Sequence, residues 1–174
     1  VPALRELRLT PDSVADLAAA VEVPVAASSL MQVAMVNALL APGKRCGVLT
    51  ISASTLTEAH LANVQAPIAL DVLQDPWPER PFDAVFSANT AHIMSTAAVA
   101  AMFSGVGRVL HPGAQFLLYG PFNYDGQFTS PSNRDFDARL RAYDPAMGVR
   151  DVAWLTELAT ASAMALAEDI EMPV

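Results

Sequence analysis

Several polar side chains that can do chemistry follow directly on short apolar runs of this sequence. His92 can act as a general base or can hydrogen-bond the backbone at a turn, and Asp71 ends the apolar run of "APIALD". Asn89 and Thr90 stand at the end of "FDAVFSANT" and suit either turn formation or ligand binding. Further hydroxyl groups at apparent helix starts are found in Ser28–Ser29 and Ser52–Thr57. Such hydroxyl groups either cap a helix or bind a carboxylate or phosphate.

The spacing of apolar residues predicts helices and strands in alternation. Strands are predicted in "VPVAAS", "RCGVLTIS", "APIALDV", "FDAVFSAN", "AQFLLYG" and "ALAEDIEMPV". Helices are predicted in "DSVADLAAAVE", "SSLMQVAMVNALLAPG", "STLTEAHLANV", "STAAVAAMFSGVGRVLHPG", "NRDFDARLRAY" and "VRDVAWLTELATASAM". This order indicates an α/β three-layer sandwich with a mostly parallel sheet covered on both faces. Ligands bind such sheets outside the carboxyl ends of the strands, where the polar side chains named above are expected.

The stretch "YGPFNYDGQFTSPSNRDF" is rich in aromatic residues, yet its glycines and prolines exclude a regular helix or a central strand. It begins at the carboxyl end of the predicted strand "AQFLLYG". We therefore expect an apolar lid over a pocket bounded by Asp71 and His92. The rings expected in this lid belong to Tyr119, Phe122, Tyr124 and Phe128. Asn133 is expected to cap the next helix, and the alternative is a hydrophobic cluster beneath a long loop.

The amino-acid composition limits the classes of protein to which the chain can belong. The chain has 174 residues, of which 53% are hydrophobic, so we expect one domain with a substantial core. The net charge of -8 and scattered basic residues argue against nucleic acid or an anionic membrane surface as a partner. A single cysteine excludes an internal disulfide and a cysteine-based zinc site, and no other cluster has metal-ligand spacing. With no apolar run of roughly 20 residues and no signal sequence, a cytoplasmic protein is expected.

The C-terminal part of the chain contains "FDAVFSANTAHIM", "MFSGVGRVLHPGAQFLLYGPFNYDGQFTSPSNRDFDARLRAYDPAMGVRD" and "EDIEMP". On these stretches, residues 66–173 resemble a family of class I S-adenosylmethionine-dependent methyltransferases that is catalogued as a domain of unknown function. The resemblance implies a Rossmann-like fold, S-adenosylmethionine as cofactor and a small molecule as methyl acceptor. It implies cofactor contacts from Ser52, Ser54, Asp71, Val72, Asn89 and Thr90. It also implies catalytic roles for His92 and Tyr119 and substrate contacts from Phe122, Tyr124 and Asn133.

The expected cofactor turn departs from that family. Glycines are expected in the first strand-turn-helix, because only glycine lets backbone approach the cofactor closely. In "VLTISASTLTEAH" serine, alanine and threonine occupy these positions. We therefore expect the cofactor side of the pocket to be altered or lost, and S-adenosylhomocysteine to bind weakly or not at all.

The N-terminal segment "LAAAVEVPVAASSLMQVAMVNALLAPGKRCGVLTISASTLTEAHLANV" resembles the aspartate/glutamate racemase superfamily instead. Those enzymes use a cysteine pair, whereas this chain has only Cys46. The two resemblances meet near residues 63–66 within one α/β domain, as in a fusion, a designed chimera or a diverged protein. Three hypotheses follow: a methyltransferase-like protein with an altered cofactor site, a non-enzymatic chimeric scaffold with a vestigial pocket, and a racemase-like protein without its cysteine pair.

The methyltransferase resemblance also implies a final antiparallel strand beside "QFLLYG". The sequence stops at Val174, just after "EDIEMP". We therefore expect that position to stay unpaired or the last strand to be poorly anchored, which predicts a homo-oligomer because unpaired strand edges recruit partners.

Overall fold

The structure is a computed structural model that describes residues 4–11, 44–50, 68–79 and 81–172, with the backbone alone for residues 4–11. The strands in these ranges are β1 (Leu4–Pro11), β2 (Cys46–Leu49), β3 (Phe82–Ala88), β4 (Leu110–Gly120), β5 (Phe122–Tyr124), β6 (Gln127–Phe128), β7 (Arg150–Asp151) and β8 (Met164–Met172). The helices are α1 (Thr96–Val109), α2 (Pro131–Tyr143) and α3 (Val152–Ala161). The elements predicted between residues 12 and 43 and between residues 51 and 67 lie outside the described residues.

The main sheet has the strand order β2-β3-β4-β1-β8. Strands β2, β3 and β4 pair in parallel, with Val48 opposite Phe86 and Phe86 opposite Leu117. A second small sheet has the order β6-β5-β7. The prediction of an α/β protein with parallel strands is therefore confirmed. The carboxyl ends of β2, β3 and β4 lie at one edge of the sheet, as the sequence analysis required.

Strand β1 pairs antiparallel with β4 on one side and with β8 on the other. Leu7, for example, lies opposite Leu118 of β4 and Asp169 of β8. The sequence analysis did not predict a strand in residues 4–11. Its expectation that the position beside "QFLLYG" stays unpaired is wrong, because an antiparallel strand from the beginning of the chain occupies that position.

The main core lies on the face of the sheet that α1 and α3 cover. Phe103 of α1 meets Phe116 of β4 edge to face, with ring centroids 5.5 Å apart, and Leu155 of α3 is fully buried in the same cluster. Alternate residues of the strands point to the opposite face, where Phe86 and Leu117 form a smaller cluster. Since Phe86 and Leu117 are also buried, both faces of the sheet are shielded from water along β3 and β4.

Helix α1 begins at a conventional N-cap, where Ser95 Oγ accepts a hydrogen bond from the amide of Ala98 at 3.2 Å. Helix α1 contains Gly105 and Gly107 and continues past both to Val109. A Cβ on Gly105 would lie 1.9 Å from the Trp77 ring, and one on Gly107 would lie 2.4 Å from the carbonyl oxygen of Ser162. These glycines therefore permit close packing and do not end the helix.

Several element boundaries differ from the predictions. No strand forms in residues 68–72, the described part of "APIALDV". Helix α2 is capped by Ser130, whose Oγ accepts from the amide of Asn133, so Asn133 is not the cap. Helix α3 begins at Val152 because the Asp151 carboxylate accepts from the amide of Ala153 at 2.9 Å. In the described part of the chain, no helix has the length and apolar character to cross a membrane.

Candidate functional site

The candidate site lies where the carboxyl ends of β3 and β4 meet. After β3 the chain turns at Asn89, whose φ of 57° is left-handed, a conformation that asparagine tolerates better than most residues. The backbone N–H of Asn89 donates to the carbonyl oxygen of Tyr119 at 2.8 Å, which joins this turn to the end of β4. The Asn89 side chain is exposed, so its amide group is available to a ligand.

Gly120 ends β4 beside this turn and lies among polar and aromatic atoms. The position that a Cβ of Gly120 would occupy is 3.8 Å from His92 Nδ1, 3.8 Å from Phe122 Cζ and 3.9 Å from Asn89 Oδ1. His92 and Asn89, which the sequence predicted as site residues, thus both lie next to Gly120, where the backbone carries no side chain. Thr90 lies in the same turn, but its Oγ1 is 2.5 Å from Ser87 Oγ inside the protein, which fixes the turn.

His92 has an unusual environment for a histidine at a loop. It is 7% exposed, and its ring meets the Phe136 ring of α2 edge to face at 5.2 Å between centroids. Burial, and to a smaller extent the nearby Arg150 cation, together lower the pKa of His92 from 6.5 to about 4. Among the described residues, no group hydrogen-bonds the imidazole. At neutral pH the ring is therefore uncharged and can accept a proton or a hydrogen bond from a ligand.

The buried His92 predicts a pH dependence of stability. Because its pKa is about 4 in the folded chain and near 6.5 when unfolded, the unfolded state takes up the proton first as the pH falls. The free energy of unfolding should therefore decrease between pH 6.5 and pH 4, by on the order of 3 kcal/mol from this group. Urea unfolding of wild type and His92→Asn at several pH values checks this. The slope should shrink in His92→Asn and persist in the exposed control His111→Asn; equal slopes in all three proteins would contradict it.

Tyr119 does not join His92. Its ring packs with Leu117 and Phe86 on one face of the sheet, whereas Phe116 and Leu118 point to the other. Gly120 follows the parity of Phe116 and Leu118, so His92 lies on the opposite face from the Tyr119 ring. The structure thus separates the two side chains that were predicted to act together in catalysis.

The sequence predicts that at least two of the four rings line a pocket bounded by Asp71 and His92, and of these Phe122 lies beside the candidate site, with its Cζ 3.8 Å from the position of a Cβ on Gly120. Phe122 is 1% exposed and belongs to the main core with Leu155, so it is placed beneath the surface. Tyr124 packs at the margin of that core, and its hydroxyl donates to Asp169 Oδ2 at 2.6 Å, which ties β5 to β8. Asn133 is fully buried, and its Nδ2 donates to Thr129 Oγ1 at 2.7 Å. Most of this stretch therefore resembles the alternative reading, a cluster packed beneath a loop.

The Asp71 turn is held by its own hydrogen bonds. The carboxylate accepts from the amide of Leu73 at 2.9 Å and from Gln74 Nε2 at 3.0 Å. The amide of Asp71 itself donates to the Asp75 carboxylate at 2.7 Å. Val72 is half-buried and packs against the main core. Asp71 thus caps a turn, which is one of the two roles that the sequence allowed, and a contact with a cofactor stays a prediction.

Three further residues singled out in the sequence are Ser52, Ser54 and Cys46. Ser52 and Ser54 lie outside the described residues. Cys46 lies within β2, where burial raises the pKa of its thiol to about 11, so it is not a reactive thiolate at neutral pH. Among the residues that the structure describes, no group of three His, Cys, Asp or Glu side chains is placed to hold a metal ion.

Sequence reasoning missed three residues around His92: Phe136, Gly148 and Arg150. The carbonyl oxygen of His92 accepts from the amide of Gly148 at 2.9 Å. Arg150 is 5% exposed and donates to backbone carbonyls of the His92 loop. Arginine is mostly a surface residue, so its type gave no signal. The sequence analysis also placed Arg150 inside the predicted helix "VRDVAWLTELATASAM", whereas it lies in β7.

The chain belongs to a family described as "Protein of unknown function (DUF938)", whose model matches residues 22–174. The match includes the candidate site and residues 22–64 of the segment for which a racemase resemblance was expected. The family description names no activity, so the function has to be argued from the site.

Proposed function

We propose that the chain is a class I methyltransferase-like protein with a Rossmann-like fold, which uses S-adenosylmethionine to methylate a small molecule. The observation that carries this proposal is the uncharged, buried His92 beside bare backbone at the carboxyl ends of two parallel strands. An antiparallel strand lies beside β4, as the methyltransferase resemblance implies for that position, although this strand is β1 and the resemblance implies the last strand of the chain.

The side chains of the site fit the cofactor that the resemblance implies. The amide of Asn89 both donates and accepts hydrogen bonds, which suits the carboxylate and ammonium groups at the methionine end of S-adenosylmethionine. Gly120 keeps the end of β4 free of a side chain. We assign Asn89 to this end of the cofactor, with Thr90 fixing the turn through Ser87. When bound, S-adenosylmethionine supplies an electrophilic methyl group.

His92 is proposed to orient the methyl acceptor and to take up its proton. Its uncharged imidazole offers a lone pair at neutral pH, and the buried surroundings exclude water from competing for it. A folded-state pKa of about 4 makes it a weak base, so its main contribution is positioning of the acceptor group.

A non-enzymatic scaffold is the second candidate, and specific contacts favour it. The Asp71 carboxylate and the Thr90 hydroxyl are both occupied by hydrogen bonds within the protein. Racemase activity is the weakest proposal, because Cys46 is the only cysteine of the chain and its thiol pKa is raised. The range of the family match runs through residues 63–66, which supports one domain over a fusion of two.

Calorimetric titration with S-adenosylmethionine tests the proposal. We expect a dissociation constant weaker than about 1 µM, because serine and threonine replace the glycines of the cofactor turn. Asn89→Gly retains the left-handed backbone without strain and removes the amide group, so it should weaken binding by roughly threefold to tenfold. The matched control is Asp125→Gly, which changes an exposed residue with a φ of 50° in the β5–β6 turn and should leave binding unchanged.

Three other results of this titration would each lead to a different conclusion. If millimolar S-adenosylmethionine produces no binding heat with wild type, the scaffold candidate is favoured. If both glycine variants behave as wild type, the cofactor binds elsewhere. A submicromolar constant would show that another part of the chain replaces the missing glycines.

A further inference from the structure

We propose that Arg150 is a positioning residue, which clamps the loop that carries His92 against β7 and so orients the imidazole in the candidate site. The proposal deepens the function proposed above, since it concerns the same site. It rests on a network of hydrogen bonds between the 146–150 segment and the His92 loop.

The Arg150 side chain reaches both sides of His92 in the sequence. Its Nε donates to the carbonyl oxygen of Ala91 at 3.2 Å, and its Nη2 donates to the carbonyl oxygen of Met94. The same Nη2 donates to the carbonyl oxygen of Ala146 at 2.8 Å. One planar guanidinium group thus fixes the loop on either side of His92, a geometry that the single ammonium of lysine cannot reproduce.

Backbone hydrogen bonds also hold residues 148–150 in place next to the His92 loop. Arg150 lies opposite Phe122 in the parallel pairing of β7 with β5. The amide of Gly148 donates to the carbonyl oxygen of His92 at 2.9 Å. The amide of Val149 donates to Asp137 Oδ1 at 2.7 Å, which connects the segment to α2. A backbone hydrogen bond therefore joins the His92 loop to the residues just before β7, and the Asp137 carboxylate joins those residues to α2.

The positive charge of Arg150 is not needed merely to hold the His92 loop in place, because an uncharged hydrogen-bond donor could do that. Among the described residues, no carboxylate forms an ion pair with it, and its hydrogen-bond acceptors are backbone carbonyls. A buried cation without a carboxylate partner is costly. In the site, however, that cation opposes protonation of His92 and so preserves its lone pair.

Two other side chains of α2 lie near the His92 site, and neither acts on the imidazole as a free charge. The Phe136 ring of α2 is uncharged and packs on the imidazole. Asp137 of α2 pairs with Arg141, with 2.8 Å between Asp137 Oδ2 and Arg141 Nε. Within the described residues, Arg150 is thus the charged group that acts on His92 most directly.

The test compares three variants by the NMR titration of the His92 imidazole. Arg150→Met retains the length of the side chain but removes its charge and its donors. Because burial is the larger cause of the lowered pKa, we expect this variant to raise the pKa of His92 by up to about one unit, which is an increase in proton affinity of up to about tenfold. Arg150→Lys retains the positive charge but loses the planar guanidinium donors, so we expect a smaller rise in the pKa of His92. Arg141→Met removes the neighbouring arginine of α2 and should leave the His92 titration unchanged.

A purely structural role for Arg150 would lower the melting temperature without changing the His92 titration. An unchanged His92 pKa in Arg150→Met, or equal shifts in Arg150→Met and Arg141→Met, would overturn the proposal. If Arg150→Met does not fold, the decision rests on Arg150→Lys against Arg141→Met. Since the titration needs no cofactor, its result is independent of whether S-adenosylmethionine binds. Failure of the proposed function is therefore distinguishable from failure of this inference.

Discussion

Replacing Leu7 with proline is expected to unfold the protein under conditions in which the wild type is folded. Leu7 lies within β1 between β4 and β8, opposite Leu118 and Asp169. Proline removes a ladder hydrogen bond and its ring clashes in the middle of a sheet, at a cost of about 3 kcal/mol or more. That is a large part of the stability of an ordinary domain. Circular dichroism during urea unfolding measures the effect.

The control for this variant is Leu7→Val, which retains the backbone N–H group and is compatible with a strand. We expect its unfolding midpoint to lie close to that of the wild type. If Leu7→Pro also unfolds at the wild-type midpoint, β1 is not inserted between β4 and β8, and the position beside "QFLLYG" must be paired or left open in another way.

The second large effect is expected at Gly105. A Cβ at this position would lie 1.9 to 2.4 Å from atoms of the Trp77 ring, which is packed against the main core. Gly105→Ala should therefore reduce the free energy of unfolding by about 1–3 kcal/mol, although alanine is the better helix former by about 1 kcal/mol. Thermal unfolding with calorimetry measures this loss.

A double-mutant cycle identifies the cause. In a Trp77→Ala background the ring is absent, so Gly105→Ala should become neutral or stabilising. Ser104→Ala, an exposed substitution in the same helix, should change the stability by less than about 0.5 kcal/mol. If Gly105→Ala is equally harmful with and without Trp77, the packing of the helix against this ring is not the reason for the glycine.

Local patterns predicted the elements whose apolar spacing is regular. The helix in "STAAVAAMFSGVGRVLHPG" and the strands in "FDAVFSAN" and "AQFLLYG" lie where α1, β3 and β4 are found. Strand β1 was missed because its sequence, "LRELRLTP", carries charged residues and its partners are more than one hundred positions away in the chain. A strand between two neighbours is determined by backbone pairing, which leaves little trace in local sequence.

The site was predicted in part for a similar reason. The rule that polar loops follow the carboxyl ends of parallel strands located Asn89, Thr90 and His92 on one turn. It did not assign side chains to faces, so Tyr119 was expected beside His92. The alternation of Phe116 to Leu118 along β4 would have separated them. Arg150 was out of reach, because it is 59 positions from Ala91 and its role arises only in the folded chain.

The most direct test of the central claim is an NMR titration of the histidine side chains with S-adenosylhomocysteine. The chain has three histidines, His60, His92 and His111, so each imidazole can be assigned by substitution. His111 is exposed near the beginning of β4, at the opposite end of that strand from Gly120, and serves as an internal control. We expect the His92 resonances to shift progressively with millimolar ligand while those of His111 stay fixed. If the His92 resonances remain unchanged at saturating ligand, or if the ligand moves only His111, the site beside Gly120 does not bind this cofactor.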